Sequence, residues 1–70
     1  MQISKLRIGI LGLGQIGGSI AARLSSLKEH PAIIGFDLRS ELCLSALQSH
    51  ILTEMAGSED ELAAVSDAVI

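Results

Sequence analysis

Apolar residues along the chain alternate between short unbroken runs and longer stretches at helical spacing. Leu6 to Leu11 is almost continuously apolar, with β-branched Ile8 and Ile10, which predicts a strand buried on both faces. A glycine-rich turn follows at once. Ile16, Ile20, Ala21, Leu24 and Leu27 then recur at helical spacing, which predicts a helix through about Leu27 with those residues inward. Lys28-Glu29-His30-Pro31 is a polar break in which Pro31 forbids further helix and holds His30 extended, as a solvated loop residue. Ala32 to Phe36 is a second apolar run, ending in Asp37, and reads as a second parallel strand.

Ser40 is placed to cap a second helix, with Glu41 in its first turn and Leu44, Leu47 and Ile51 as its inward stripe. Gly57 to Glu61 reads as a loop entering a short acidic-capped helix through about Ala64. Asp67 to Ile70 then reads as the opening of a third strand. The order β-α-β-α-β makes a parallel α/β sheet the expected fold, because parallel neighbours need crossover connections. No repeat, heptad or low-complexity segment competes with it, and no linker divides the chain.

Composition agrees with a buried parallel sheet. Of the 70 residues 49% are hydrophobic and only 1% aromatic, which implies a core of aliphatic side chains. A net charge of −3 with no basic cluster and no stacking aromatics gives nucleic acid nothing to grip. No run approaches the ~20 apolar residues of a membrane span, and the glycines and Gln15 within the N-terminal apolar stretch argue against a signal peptide. The single Cys43 reads as a small core residue, and nothing near it suggests a metal site or redox pair. A soluble cytoplasmic protein is therefore expected.

The candidate chemistry lies in Gly12-Leu13-Gly14-Gln15-Ile16-Gly17. A pyrophosphate must be met without steric obstruction, and a helix N-terminus offers unpaired N–H groups and about half a positive charge. Gly12 permits the tight turn, Gly14 leaves room for the phosphates, and Gly17 allows the helix to pack closely on the sheet. A lone GxGxxG is common, so context decides. Here it follows a strand pattern, opens a helical pattern, and has Asp37 twenty positions past Gly17 at a second strand end, as a dinucleotide-binding βαβ unit requires. An acidic side chain there accepts from ribose hydroxyls and disfavours a 2′-phosphate, so NAD is expected, with NADP as the alternative. Arg39 complicates this choice, since it is placed to stack on adenine or to reach a 2′-phosphate if Asp37 turns away, although a plain surface charge is the simpler expectation. Walker-type phosphate binding is a weak rival, because Gly17-Gly18-Ser19 contains no lysine.

The wider segment from Ile8 to Ala21 closely resembles the N-terminal signature of the prephenate/arogenate dehydrogenase family, whose Gly-Leu-Gly-x-Ile-Gly-Gly-Ser is more specific than the bare fingerprint. The likeness continues through Ile34-Gly35-Phe36-Asp37, Ala46-Leu47, Ile51 and Ser66 to Ile70. It implies a Rossmann-type domain of an enzyme that oxidises and decarboxylates prephenate or arogenate in tyrosine biosynthesis. Gly12, Gly14, Gly17 and Asp37 would be its cofactor contacts, with Ile16 and Gly18 completing the turn and Ser19 near the phosphates. The chain departs from the family at Gln15, usually aliphatic; at Leu38, where an arginine commonly follows the aspartate; and at His50, where glycine commonly ends the second helix.

In that family the catalytic histidine and substrate-binding arginines come later in the chain, and a helical C-terminal domain makes the homodimer. Neither His30 nor His50 matches the catalytic position, so no catalytic residue is assigned here. Complete dinucleotide domains usually need about twice 70 residues. The expectation is therefore an N-terminal part of such a domain, residues 1–70, ending inside a third strand. It would hold the cofactor while remaining inactive alone, marginally stable or self-associating. A similar N-terminus occurs in dehydrogenases and reductases of the 3-hydroxyisobutyrate and pyrroline-5-carboxylate types, against which Gly18-Ser19 favours the first family. A non-enzymatic nucleotide-binding module is the reading from a different class.

Overall fold

A computed structural model describes residues 2–70. After a 3-10 turn at Ile3–Lys5, the elements run β1 (Arg7–Leu11), α1 (Gln15–Ser25), β2 (Ala32–Phe36), α2 (Ser40–Gln48), β3 (Glu54–Met55), α3 (Glu59–Val65) and β4 (Ala68–Val69). All strand pairings are parallel, and the spatial order is β3-β2-β1-β4. The fold is thus α/β with four strands where the sequence pattern predicts three. The strand expected third, Asp67 to Ile70, is β4, and it pairs with β1.

The strand missed from sequence, β3, is short and lies at the sheet edge with both residues exposed. An edge strand that faces solvent carries no apolar run to betray it. Its place is fixed by flanking hydrogen bonds, Thr53 N–H to the Ile33 carbonyl at 2.8 Å and Ala56 N–H to the Gly35 carbonyl at 2.9 Å.

Because side chains alternate across a strand, the two faces of β1 and β2 feed two cores. Ile10 and Ile33, with Ile8 beside them, pack on one face against Ala21 of α1, Cys43 of α2, Leu13 and Leu52. Ile34 packs on the other with Ala56 and Leu62 of α3, flanked by Ala32, Phe36 and Val65. The chain therefore changes faces between α2 and α3. Gly9 sits where α3 comes closest to the sheet, and a Cβ there would meet Ser66 Oγ at 2.5 Å and Leu62 Cδ1 at 3.2 Å.

Two of the expected inward stripes need correction. Leu47 and Ile51 pack against the core as expected, but Leu44 is half exposed and the buried residue of α2 is its neighbour Cys43, because the helix turns its Cys43-Ala46-Leu47 side to the sheet. Ile16 is 79% exposed, since it stands on the first turn of α1 beyond the end of the sheet, and Leu27 lies past the helix end and is also exposed.

Helix α2 ends on His50, whose φ is +60°. Ile51 N–H bonds to the Ala46 carbonyl at 2.9 Å and His50 N–H to the Leu47 carbonyl at 3.1 Å. These are the two bonds of a Schellman ending, in which the residue at positive φ is usually glycine. The departure at His50 thus keeps the glycine conformation without the glycine.

Arg7 ties β1 to the α3 side of the sheet. Its Nε donates to the Val65 carbonyl at the end of α3 at 2.6 Å, and its guanidinium pairs with Glu54 of β3. Its backbone N–H meets the Asp67 carboxylate at 2.8 Å, just before β4.

Candidate functional site

Ligands of open parallel sheets bind beyond the carboxyl ends of the strands, where the connections leave toward opposite faces. In this chain the connections from β1 and β3 pass through α1 and α3 on opposite faces, with β1 and β4 adjacent. The glycine turn lies at that point.

Gly12 leaves β1 with φ +90°, a conformation that side chains disfavour, and its N–H bonds to the Phe36 carbonyl at 2.8 Å. Gly17 sits on the first turn of α1 so close to Gly12 that a Cβ would stand 1.9 Å from the Gly12 carbonyl oxygen. Gly14, the N-cap, has a different role. A Cβ there meets nothing nearer than Arg39 Nη2 at 3.7 Å, so the protein itself does not demand a glycine at that position. It leaves α1 without a side-chain cap. The N–H groups of Gln15, Ile16 and Gly17, which lack carbonyls one turn back, are left for an outside acceptor. Gln15 and Ile16 themselves are exposed beside them.

Asp37, at the end of β2, binds the turn directly. One carboxylate oxygen, Oδ2, accepts the Leu13 N–H at 2.7 Å; the other, Oδ1, accepts the Arg39 N–H at 2.8 Å at the start of α2. The Arg39 guanidinium then lies along the carboxylate, Nε to Oδ1 at 3.1 Å and Nη2 to Oδ2 at 3.2 Å. That guanidinium, joined by the Arg39 and Leu13 N–H groups, holds the carboxyl well below the usual carboxylate range. In return Asp37 pushes the Arg39 guanidinium further up. Arg39 is therefore an ion-pair partner where a plain surface charge was the simpler expectation. Ser40 does not cap α2: Arg39 holds the N-cap position without a side-chain cap bond, and Asp37 accepts the Arg39 N–H just before the helix.

A cleft of about 420 Å³ opens here. Leu11, Phe36 and Leu38 give it apolar lining, and Asp37, Arg39 and Glu59 polar lining, with Gly12 between. Of the sequence-predicted residues, the structure brings Gly12, Gly14, Gly17, Asp37 and Arg39 together and leaves Gln15 and Ile16 on the outer surface of the turn. Sequence reasoning missed three members. Leu13 supplies the N–H that positions Asp37, and its side chain is buried in the core. Leu38 is 90% exposed at the cleft. Glu59 arrives from the far face through α3, and no local spacing links it to the turn.

Both histidines lie outside this cleft. His30 is exposed, with Nδ1 2.8 Å from the Pro31 carbonyl, and His50 is exposed at the end of α2. Among the described residues no three His, Cys, Asp or Glu side chains converge as a metal site would require, and no helix is long and apolar enough to cross a membrane. Comparison with family models, with curated proteins and with solved structures returned no match to this chain.

Proposed function

We propose that this chain holds the adenosine diphosphate half of a nicotinamide dinucleotide, as part of a Rossmann-type domain. The observation that carries the reading is the hydrogen bond between Asp37 and Leu13 N–H. It locks the acidic end of β2 to the glycine turn, beside the uncapped start of α1. A dinucleotide has a matching order of groups: ribose hydroxyls, then a pyrophosphate that seeks unpaired N–H groups and a positive helix end. Leu11, Phe36 and Leu38 offer adenine an apolar seat.

The resemblance of the Ile8 to Ala21 segment to prephenate and arogenate dehydrogenases gives the reading its enzyme class. In such an enzyme a nicotinamide held by these residues would supply the hydride acceptor for an oxidative decarboxylation. In this reading the residues of this chain bind and orient the dinucleotide. The reading includes a homodimeric parent enzyme.

The test is calorimetric titration of the chain with NAD and NADP beside a Gly14→Ala variant. Because an added Cβ at Gly14 meets no protein atom closer than 3.7 Å, this variant keeps the fold and obstructs only the phosphate approach. The expected result is saturable binding by the wild type, weakened tenfold or more in the variant at unchanged melting temperature. Absence of binding to either dinucleotide, or equal binding by Gly14→Ala, overturns the proposal. For the enzyme class, protein containing this chain is assayed for reduction of dinucleotide with prephenate and with arogenate.

A further inference from the structure

Resting on the dinucleotide reading, we infer that Arg39, braced by Asp37, selects a cofactor bearing a 2′-phosphate, so that NADP is preferred over NAD. An ionised carboxylate has about four acceptor sites. Asp37 has four donors on it already: the Leu13 and Arg39 N–H groups and two guanidinium nitrogens of Arg39. A ribose hydroxyl offers this carboxylate only a donor in exchange for one it has. The guanidinium is in the opposite position. It has five N–H groups, of which two are spent on Asp37. Its side chain is 60% exposed while that of Asp37 is 7% exposed, and it lines the cleft.

The location matters as much as the valence. Arg39 Nη2 lies 3.7 Å from where a Cβ of Gly14 would stand, so the guanidinium spans the distance from Asp37 to the phosphate turn. A ribose that bridges these two points meets Arg39 first. A phosphate on its 2′ oxygen gives the free guanidinium edge a paired acceptor, a contact worth more than a neutral hydrogen bond. Paired Asp37 and Arg39 are neutral together, so the carboxylate does not repel the phosphate as an unpaired one would. Opposing charge comes from Glu59, exposed on the cleft wall, and from Glu41, whose carboxylate also acts on the Arg39 guanidinium.

The experiment measures the ratio of NAD to NADP dissociation constants for the full chain at pH 7.5 and low salt. Wild type is expected to bind NADP at least tenfold more tightly. Arg39→Ala bares the carboxylate and should reverse the order, Arg39→Lys should keep a reduced preference, and Glu59→Gln should raise NADP affinity a few-fold. NAD binding as tight as NADP in the wild type, or a ratio unchanged by Arg39→Ala, overturns this inference and leaves the dinucleotide reading standing. Failure of both dinucleotides to bind overturns the two together. The wild-type ratio decides the matter even if a variant fails to fold.

Discussion

At the scale of single residues, the two informative positions each put a side chain to an unusual use. His50 adopts φ +60° at a helix ending whose two hydrogen bonds are otherwise complete. A residue with a Cβ in that conformation costs about 1 kcal/mol relative to glycine. His50→Gly is therefore expected to stabilise the chain by roughly that amount in urea denaturation, with no change in dinucleotide binding. Asp37 gives a pH dependence of definite sign. Its carboxyl is held below its ordinary range in the folded chain, chiefly by the Arg39 guanidinium. The unfolded state therefore takes up the proton first, as pH falls below about 4. The stabilisation from Asp37 is complete above that pH and is lost progressively below it. Asp37→Asn should melt lower than wild type at pH 7, with the gap closing as pH drops below about 4. A gap independent of pH would remove the ion pair from the account.

At the scale of elements, the termini decide what forms. The carboxyl-terminal helix, α3, has only seven residues, too few to persist by propensity. Ser58 caps it by accepting the Glu61 N–H at 3.0 Å, and Glu61 reaches back to the Gly57 N–H at 2.8 Å. This is nearly the reciprocal pair of a capping box, with the side-chain return shifted one residue upstream. Glu59, Asp60 and Glu61 add negative charge at the positive end of the helix dipole. Ser58→Ala should cost about 1 kcal/mol, read as a lower urea midpoint at unchanged slope. The acidic run before Leu62 made this helix legible from sequence. By contrast, β3 exists only because Thr53 and Ala56 bond to β2, and its two exposed residues carry no signal of their own.

At the scale of the molecule, two small cores share one sheet. Leu62 is the anchor of α3 and is 1% exposed beneath it. Truncation to alanine at such a site costs about 2–5 kcal/mol. A chain of this length has a total stability of roughly 4–10 kcal/mol. Leu62→Ala is therefore expected to leave the α3 face largely unfolded at 37 °C, with rapid amide exchange in α3 and β4, while β1 and β2 remain the slowest to exchange. Uniform protection across all four strands would contradict the division into two cores.

The amino-acid sequence by itself determined the local vocabulary. Apolar runs at Leu6 to Leu11, broken only by Arg7, and at Ala32 to Phe36 marked the central strands, because strands covered on both faces need no alternation. The glycine spacing marked the turn, because the positive φ at Gly12 disfavours side chains and a Cβ at Gly17 would collide with the Gly12 carbonyl. The placing of Asp37 at a strand end followed from the same periodicity. What only the tertiary structure decided depends on distance in space. The sheet order puts β4 beside β1 and sends α3 to the far face, which brings Glu59 to the cleft. The packing angle of α2 selects Cys43 over Leu44. The donors that fill Asp37 come from Leu13 and Arg39, and their number sets what that carboxylate has left to offer a ligand. Spacing along a chain records which face a residue occupies; it holds no record of which hydrogen bonds are already taken.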